Sequence, residues 1–422
     1  MKMTVKKSSI GYFCLLMCLA LDVGLYQLPG IRFFYFGYIT LIQAFLCVAL
    51  AVWCFTDRRC HHIIVQYCKR INIVVLVYLS ALLFQVGYTN ANTSLDFNEI
   101  IINLLPYAKV LLVYPVIYLI HTMGVRKIEN GVIAITIIYL VYTVFLVSVY
   151  SIWGINLDSV FLQNEAGQRF GLIRLRSISL TWFTCILLFK RWLVENERKN
   201  LIWAILVLLY VIFINQGRAA YIALTITLIS MYFFKKRHTG RQLFVFLLLC
   251  VVCAVFVNSG ILERFVATLL PSYTGSFTGN TTLTRLDQLA LFNSMLKEMP
   301  LGIWAGLGLR NFVPAVNSVG NMVNYYFLDT GIIGDVINLG VFAIFLFLVT
   351  EGGLFRLAME SRKKKGEPFY FAIGAFTFVL VGCIGYTIFP YARIIALPFV
   401  WGFQAYYRRR LKDGQDTTEA GQ

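Results

Sequence analysis

The stretch "INQGRAAY", residues 214–221, puts Arg218 in a tight turn between the apolar runs "LIWAILVLLYVIF" and "IALTITLISMYFF". A charge near hydrocarbon costs about 2.5–3.5 kcal/mol at the centre of a span. Its planar guanidinium fork is suited to bidentate binding of phosphate oxygens. Arg174 and Arg176 precede one apolar run, Arg393 precedes another, and Arg285 and Arg310 lie in a long polar stretch between two more. Together they could hold a phosphorylated lipid headgroup and stabilise a diphosphate as it leaves. Taken singly, each could equally snorkel to ordinary headgroups. Two acids, Asp329 and Asp335, flank "TGIIG". An acid there can take a proton from an attacking hydroxyl, or simply favour a helix N-terminus through the dipole. Six residues apart on one helix, the two would stand about 240° apart and not share a face.

Other chemistries are poorly provided for. There are four histidines, His61, His62, His121 and His238, and all fall on the basic, cytosolic side of the topology developed below. Chemistry on the other side therefore lacks an imidazole base or a His-ligated metal, and no metal or cofactor is expected. The ten cysteines lie in spans or cytosolic loops, so no disulfide framework is implied. "CVVC", Cys250–Cys253, reads as small apolar packing within a span. "GLGLR" near Gly306 is too short for a nucleotide-binding loop, and the sequons at Asn92 and Asn280 read as chance.

The elements that position these residues follow from composition. The chain has 422 residues, of which 59% are hydrophobic and 14% charged. A soluble domain could not hide that much apolar surface, so this is a polytopic membrane protein. The apolar runs are about 17–23 residues long, enough to cross hydrocarbon as helices, and they lack the alternation of a membrane barrel. The reading is all-α, with about twelve spans at 10–28, 33–55, 71–88, 105–122, 131–153, 172–189, 201–216, 219–234, 242–259, 330–350, 368–387 and 393–407. Of the 37 lysines and arginines, 26 fall in alternate loops beginning with "MKMTVKK" and ending with "RRRLK", which leaves 11 on the other side. By the positive-inside rule both termini are cytosolic. The net charge of +17 is thus a topology signal, and nucleic acid is not expected as a partner. Nine of the 11 opposite residues are arginine, whereas the 26 divide evenly between arginine and lysine; topology alone would not make that choice.

Three regions follow: spans one to nine at 1–259, one large outer loop at 260–329, and the last three spans with a tail at 330–422. In the loop, "TRLDQLALFNSMLKEM" carries Leu286, Leu289, Leu291, Phe292, Met295 and Leu296 at helical spacing. Pro300 ends that helix, and glycine-permitted turns follow. No internal repeat of the kind many transporters use is visible.

This order of features resembles the bacterial O-antigen polymerase and ligase superfamily. "INQGRAAYIAL" is similar to its Thr/Ser-Arg-small turn, with Gly217 in place of serine. "TRLDQLALFNSMLKEMPLGIWAGLGLRNF" is similar to its sequence of arginine, amphipathic helix, proline, Gly-x-Gly and phenylalanine. "NYYFLDTGIIGDVINLGVF" is similar to a stretch that in ligases contains His-Asn and an acid; here Asn324 stands at the histidine position, Tyr325 follows, and the acid is Asp329. The resemblance covers residues 200–350 by motif. It implies a GT-C-like polymerase/ligase architecture in the bacterial inner membrane. The implied activity is transfer of a glycan from undecaprenyl diphosphate to a lipid-linked repeat unit on the outer face. Arg218 and Asp329 become the implied catalytic residues. Arg218, Arg285, Arg310, Arg174 and Arg176 become the diphosphate ligands, and Asn324, Tyr325 and Tyr326 glycan contacts. The expected partners are the lipid-linked oligosaccharide, membrane lipids and a chain-length regulator protein. The absent histidine favours polymerase over ligase; a glycolipid flippase or other transporter is the alternative from another class.

Overall fold

The computed structural model describes residues 7–25, 36–153, 167–169, 172–174, 179–215, 218–235, 281–310, 312–316, 322–389 and 393–413. Among them the long apolar runs are helices: α1 Lys7–Asp22, α2 Phe36–Thr56, α3 Arg58–Asn92, α4 Phe97–Leu104, α5 Val113–Met123 and α6 Val125–Trp153. A 3-10 turn, Leu105–Leu112, joins α4 to α5. Then come α7 Ser179–Glu195, α8 Arg198–Tyr210, which widens into a π turn at Val211–Asn215, and α9 Arg218–Phe233. The last membrane-region helices are α13 Val341–Ser361, α14 Glu367–Gly382 and α15 Ala396–Lys412. Between them lies the lid: α10 Thr281–Glu298, one turn of helix α11 Gly302–Ala305, and the short helix α12 Ile332–Leu339 that leads into α13.

Six of these segments are long and apolar enough to cross a membrane: Tyr38–Thr56, Arg58–Asn92, Phe97–Met123, Val125–Val149, Arg198–Asn215 and Val341–Ser361. Their outward surfaces are apolar, with Leu83 71%, Phe45 70% and Leu76 66% exposed. Side chains of that kind are tolerated in contact with lipid and would be a liability in water. The protein is a membrane-embedded α-helical protein. The other expected spans coincide with shorter helices, except 242–259, which lies outside the described residues.

The end of the bundle rich in lysine and arginine is held together by ion pairs. Asp57 caps α3 by accepting from the Arg59 and Cys60 N–H groups, and it also pairs with Lys7 at 2.7 Å. Deeper in, fully buried Glu129 of α6 pairs with fully buried Lys190 of α7 and, at 2.8 Å, with the Arg191 Nε. Arg126 pairs with Glu195 and Glu367, tying α6 to α7 and α14. A charge in low dielectric persists only when it is paired in this way.

Several expectations need correcting. Strands exist among the described residues: β1 Gly167–Arg169 pairs with β2 Leu172–Arg174, and β3 Phe312–Val316 with β4 Met322–Tyr326, both antiparallel. The span expected at 172–189 is therefore displaced to Ser179–Glu195, because the polar "GQRFGLIR" closes on itself as a hairpin. The span expected at 330–350 begins only at Val341. Gly340 has φ +67°, and a Cβ there would meet the Trp304 carbonyl oxygen at 1.9 Å, so the chain breaks and α12 stands apart. Asp329 lies in a 3-10 turn, Phe327–Thr330, and Asp335 in α12, so no single helix separates them by 240°. Lys109 is buried and pairs with Asp22 at 2.5 Å. Glu351 sits in the middle of α13.

Candidate functional site

At the lid end, α12 is the element around which the candidate residues are arranged. Its start is pinned to the connection between α14 and α15, with the Ile332 N–H donating to the Cys383 carbonyl at 2.8 Å. A Cβ on Gly331, whose φ is +63°, would lie 2.4 Å from that same oxygen and 2.7 Å from the Gly385 nitrogen. Gly385 in turn abuts Ala219, whose Cβ stands 2.9 Å from where a Gly385 Cβ would be. Arg218 is the residue before Ala219 and the first of α9. The backbone at Arg218, the Asp329–Gly331 segment and the 383–389 connection thus meet at one place. Strand β2, which ends at Arg174, lies against Val211–Asn215 just ahead of Arg218. Arg176 lies outside the described residues.

The lid closes over the other end of α12. The Leu307 N–H donates to the Ile337 carbonyl at 2.7 Å, and the Gly308 N–H to the Asn338 carbonyl at 3.2 Å. The end of α3 grips the same strip. Thr89 Oγ1 accepts from the Leu309 N–H at 2.8 Å, Gln85 Nε2 donates to the Ala305 carbonyl at 2.6 Å, and the Tyr88 hydroxyl donates to the Pro300 carbonyl at 2.7 Å. Helix α10, which carries Arg285, is fastened through Phe292, stacked on Phe327 with centroids 4.8 Å apart. Asn324, Tyr325 and Tyr326 lie on β4, opposite Pro314, Val313 and Phe312 respectively.

Arg310 is half-buried beside Tyr88, and burial pushes its guanidinium below the usual arginine value while Tyr88 opposes that shift. Eight residues at 1.5 Å rise make α12 about 12 Å long. Arg310 is therefore at the far end of α12 from the Arg218 turn. The structure does not bring all of the expected arginines to one point.

Buried polar atoms without partners mark the same region. Such atoms are few in folded proteins, and each calls for an explanation. Among the described residues, eight of them belong to lid-end segments: Gln85 Oε1, Ser179 Oγ, Thr181 Oγ1, Trp182 Nε1, Arg310 Nε, Asp335 Oδ2, Asn338 Oδ1 and Arg393 Nη1. Gln85, Arg310 and Asn338 surround the lid strip. Asp335 and Arg393 lie at the start of α12, and Ser179, Thr181 and Trp182 belong to the first turn of α7. Trp182 stacks on Phe378 at 4.2 Å, Phe378 meets the edge of Tyr386 at 5.9 Å, and the Arg393 guanidinium lies 4.0 Å over the Tyr386 ring. Thr387 hydrogen-bonds Asp335, and Arg393 acts on the same carboxyl. Burial nonetheless pushes Asp335, on the short helix ahead of α13, up to about 7.

Sequence reasoning counted Arg393 among the headgroup arginines and Asp335 among the candidate acids, and it missed Ser179 and Trp182. The available signal was a serine and a tryptophan three residues apart at the mouth of an otherwise apolar run, directly after two arginines. Compared with known proteins, the chain matches no protein-family model and no curated sequence. The functional reading rests on the site.

Proposed function

We propose that the protein is a glycan polymerase of the inner membrane, and that its lid end works on the outer face with both termini in the cytosol. It transfers a growing chain from undecaprenyl diphosphate to a second lipid-linked repeat unit. The observation that carries this reading is the crowding of unpartnered buried donors and acceptors around α12, where the Arg218 turn, the Asp329 turn and the lid meet. Half-buried Arg310 and Arg393, each with a buried guanidinium nitrogen that lacks a hydrogen-bond partner, fit a site that takes an anionic headgroup. Arg218 and Arg310 would hold the diphosphate from opposite ends of α12, with Arg285, Arg174 and Arg176 completing its surroundings. An acid beside α12 would take the acceptor's proton, either Asp329, which the family resemblance implies, or Asp335 of α12 itself. Asn324, Tyr325 and Tyr326 would contact the glycan from β4. The donor's glycosyl phosphate bond supplies the energy, so no nucleotide is needed. A chain-length regulator protein would be a further partner.

One observation favours a second reading, a glycolipid flippase or transporter. Glu351 is buried in the middle of membrane-crossing α13, and neither carboxylate oxygen has a partner. Transporters place ionisable groups at such depth. Gene deletion separates the two. A polymerase deletion leaves surface glycan with single repeat units on the core and no ladder, whereas a flippase deletion leaves no capped single unit at all.

A further inference from the structure

The short turn α11 leaves two large apolar side chains outside the packed lid. Leu301, immediately before it, is 62% exposed, and Trp304 is 66% exposed. The Trp304 N–H donates to the Leu301 carbonyl at 2.8 Å, so the two residues stand one helical turn apart on the same side. The backbone between and beside them is held close. A Cβ on Gly302 would lie 2.2 Å from the Leu296 carbonyl oxygen, and one on Gly340 would lie 1.9 Å from that of Trp304. Leu301 also keeps a left-handed φ of +57°, which glycine adopts freely and leucine only at a cost. In water, an exposed leucine in that conformation gains nothing that a glycine would lack.

The surfaces on either side of the turn indicate what covers it. Gly340, which touches the Trp304 carbonyl, is followed at once by Val341, the first residue of membrane-crossing α13. From there exposed Val341, Ile344 and Leu348 form one apolar stripe at helical spacing. On the other flank, Gln85 of α3 donates to the Ala305 carbonyl at 2.6 Å and to the Leu339 carbonyl at 3.4 Å. Leu83 and Phe84, just before Gln85, are exposed as well. Both α3 and α13 are long and apolar enough to cross the membrane, so lipid covers these outward stripes. The turn therefore sits beside the end of two lipid-facing surfaces, at the level where α13 enters hydrocarbon. Tryptophan is enriched at that level, where its apolar rings meet acyl chains and its N–H meets headgroups.

We infer that α11 is a lipid-docking turn: Trp304, with Leu301 beside it, inserts into the interfacial layer of the surrounding phospholipid and fastens the lid to the bilayer. The occupant is the boundary between headgroups and upper acyl chains, continuous with the lipid around α3 and α13. This docking holds whichever reaction the lid serves.

The test uses the full-length protein in nanodiscs made either with plain phospholipid or with phospholipid brominated high on its acyl chains, and iodide as the aqueous quencher. Subtracting the emission of Trp304→Phe from that of the wild type isolates Trp304 among the seven tryptophans. Phenylalanine at an exposed position keeps the apolar surface and the fold. The brominated lipid should lower the difference emission at least about twofold, while iodide lowers it by less than about a fifth. Quenching by iodide without quenching by brominated lipid places Trp304 in water and overturns the inference. Shielding from both quenchers means that protein, from this chain or another copy, covers the turn, and overturns it equally.

Discussion

Gly331→Ala tests whether the junction at the start of α12 assembles the site. The left-handed φ of +63° costs an alanine about 1–2 kcal/mol. The new methyl would meet the Cys383 carbonyl oxygen at 2.4 Å and the Gly385 nitrogen at 2.7 Å. Both are backbone atoms, and relieving such overpacking typically costs a further 1–3 kcal/mol or so. The total is about 2–5 kcal/mol, and the cheapest relief is to separate α12 from the 383–389 connection, which the Ile332–Cys383 backbone bond and the Thr387–Asp335 hydrogen bond resist. At 1.4 kcal/mol per factor of ten, the assembled junction would fall by between about 30-fold and a few thousandfold. The control is Gly352→Ala on α13, where an added Cβ meets nothing within 4 Å. The assay compares polysaccharide ladders from cells carrying each variant, with the amount of protein in the membrane measured alongside. The expected result is a lost or strongly shortened ladder for Gly331→Ala at a protein level close to that of Gly352→Ala. A wild-type ladder from Gly331→Ala would show that the junction does not assemble the site.

Four further outcomes follow from the same geometry. Arg218→Lys should lose elongation nearly as completely as Arg218→Ala, because a lysine cannot make the bidentate contact; a fully active lysine variant removes that role. Thr89→Val leaves the Leu309 N–H buried without its acceptor, costing about 1–3 kcal/mol, so the lid strip should become more sensitive to limited proteolysis while the helices stay resistant. Glu129→Gln strips the carboxylate partner from buried Lys190 and should cost about 3–5 kcal/mol, lowering the amount of protein in the membrane; unchanged thermal stability would contradict this. Asp335 accepts a proton only when ionised and its carboxyl is raised to about 7, so turnover should rise as pH increases through about 7 and then level off. That rising limb should vanish in Asp335→Asn, and a flat wild-type profile across the range would dismiss the carboxyl as base.

The helices were legible because the length of an apolar run and the alternation of loop charge act locally. The amphipathic face expected around Phe292 is the face that packs: Leu289, Leu291, Met295 and Leu296 surround it beside Phe327. The "GLGLR" strip was legible as turns, but the partners that hold it are Gln85, Tyr88 and Thr89, more than 200 residues away. No local pattern carries that distance. The Lys109–Asp22 pair was hidden for the same reason, since the partners stand 87 residues apart. The hairpins were hidden because strands of three to five residues are too short to display alternation. At the candidate site, arginines stand out against an apolar background, whereas Ser179 and Trp182 look ordinary in one. Their significance comes from lacking partners once buried, a property of the packed molecule alone.

Reconstitution tests the central claim most directly. Purified protein in liposomes would be given the lipid-linked repeat units that accumulate in a deletion strain, with glycan length and free undecaprenyl diphosphate followed together. Polymerisation predicts a ladder of lengthened glycans, with one undecaprenyl diphosphate released for each new linkage. Single units that stay single, whether or not they cross the bilayer, would contradict it.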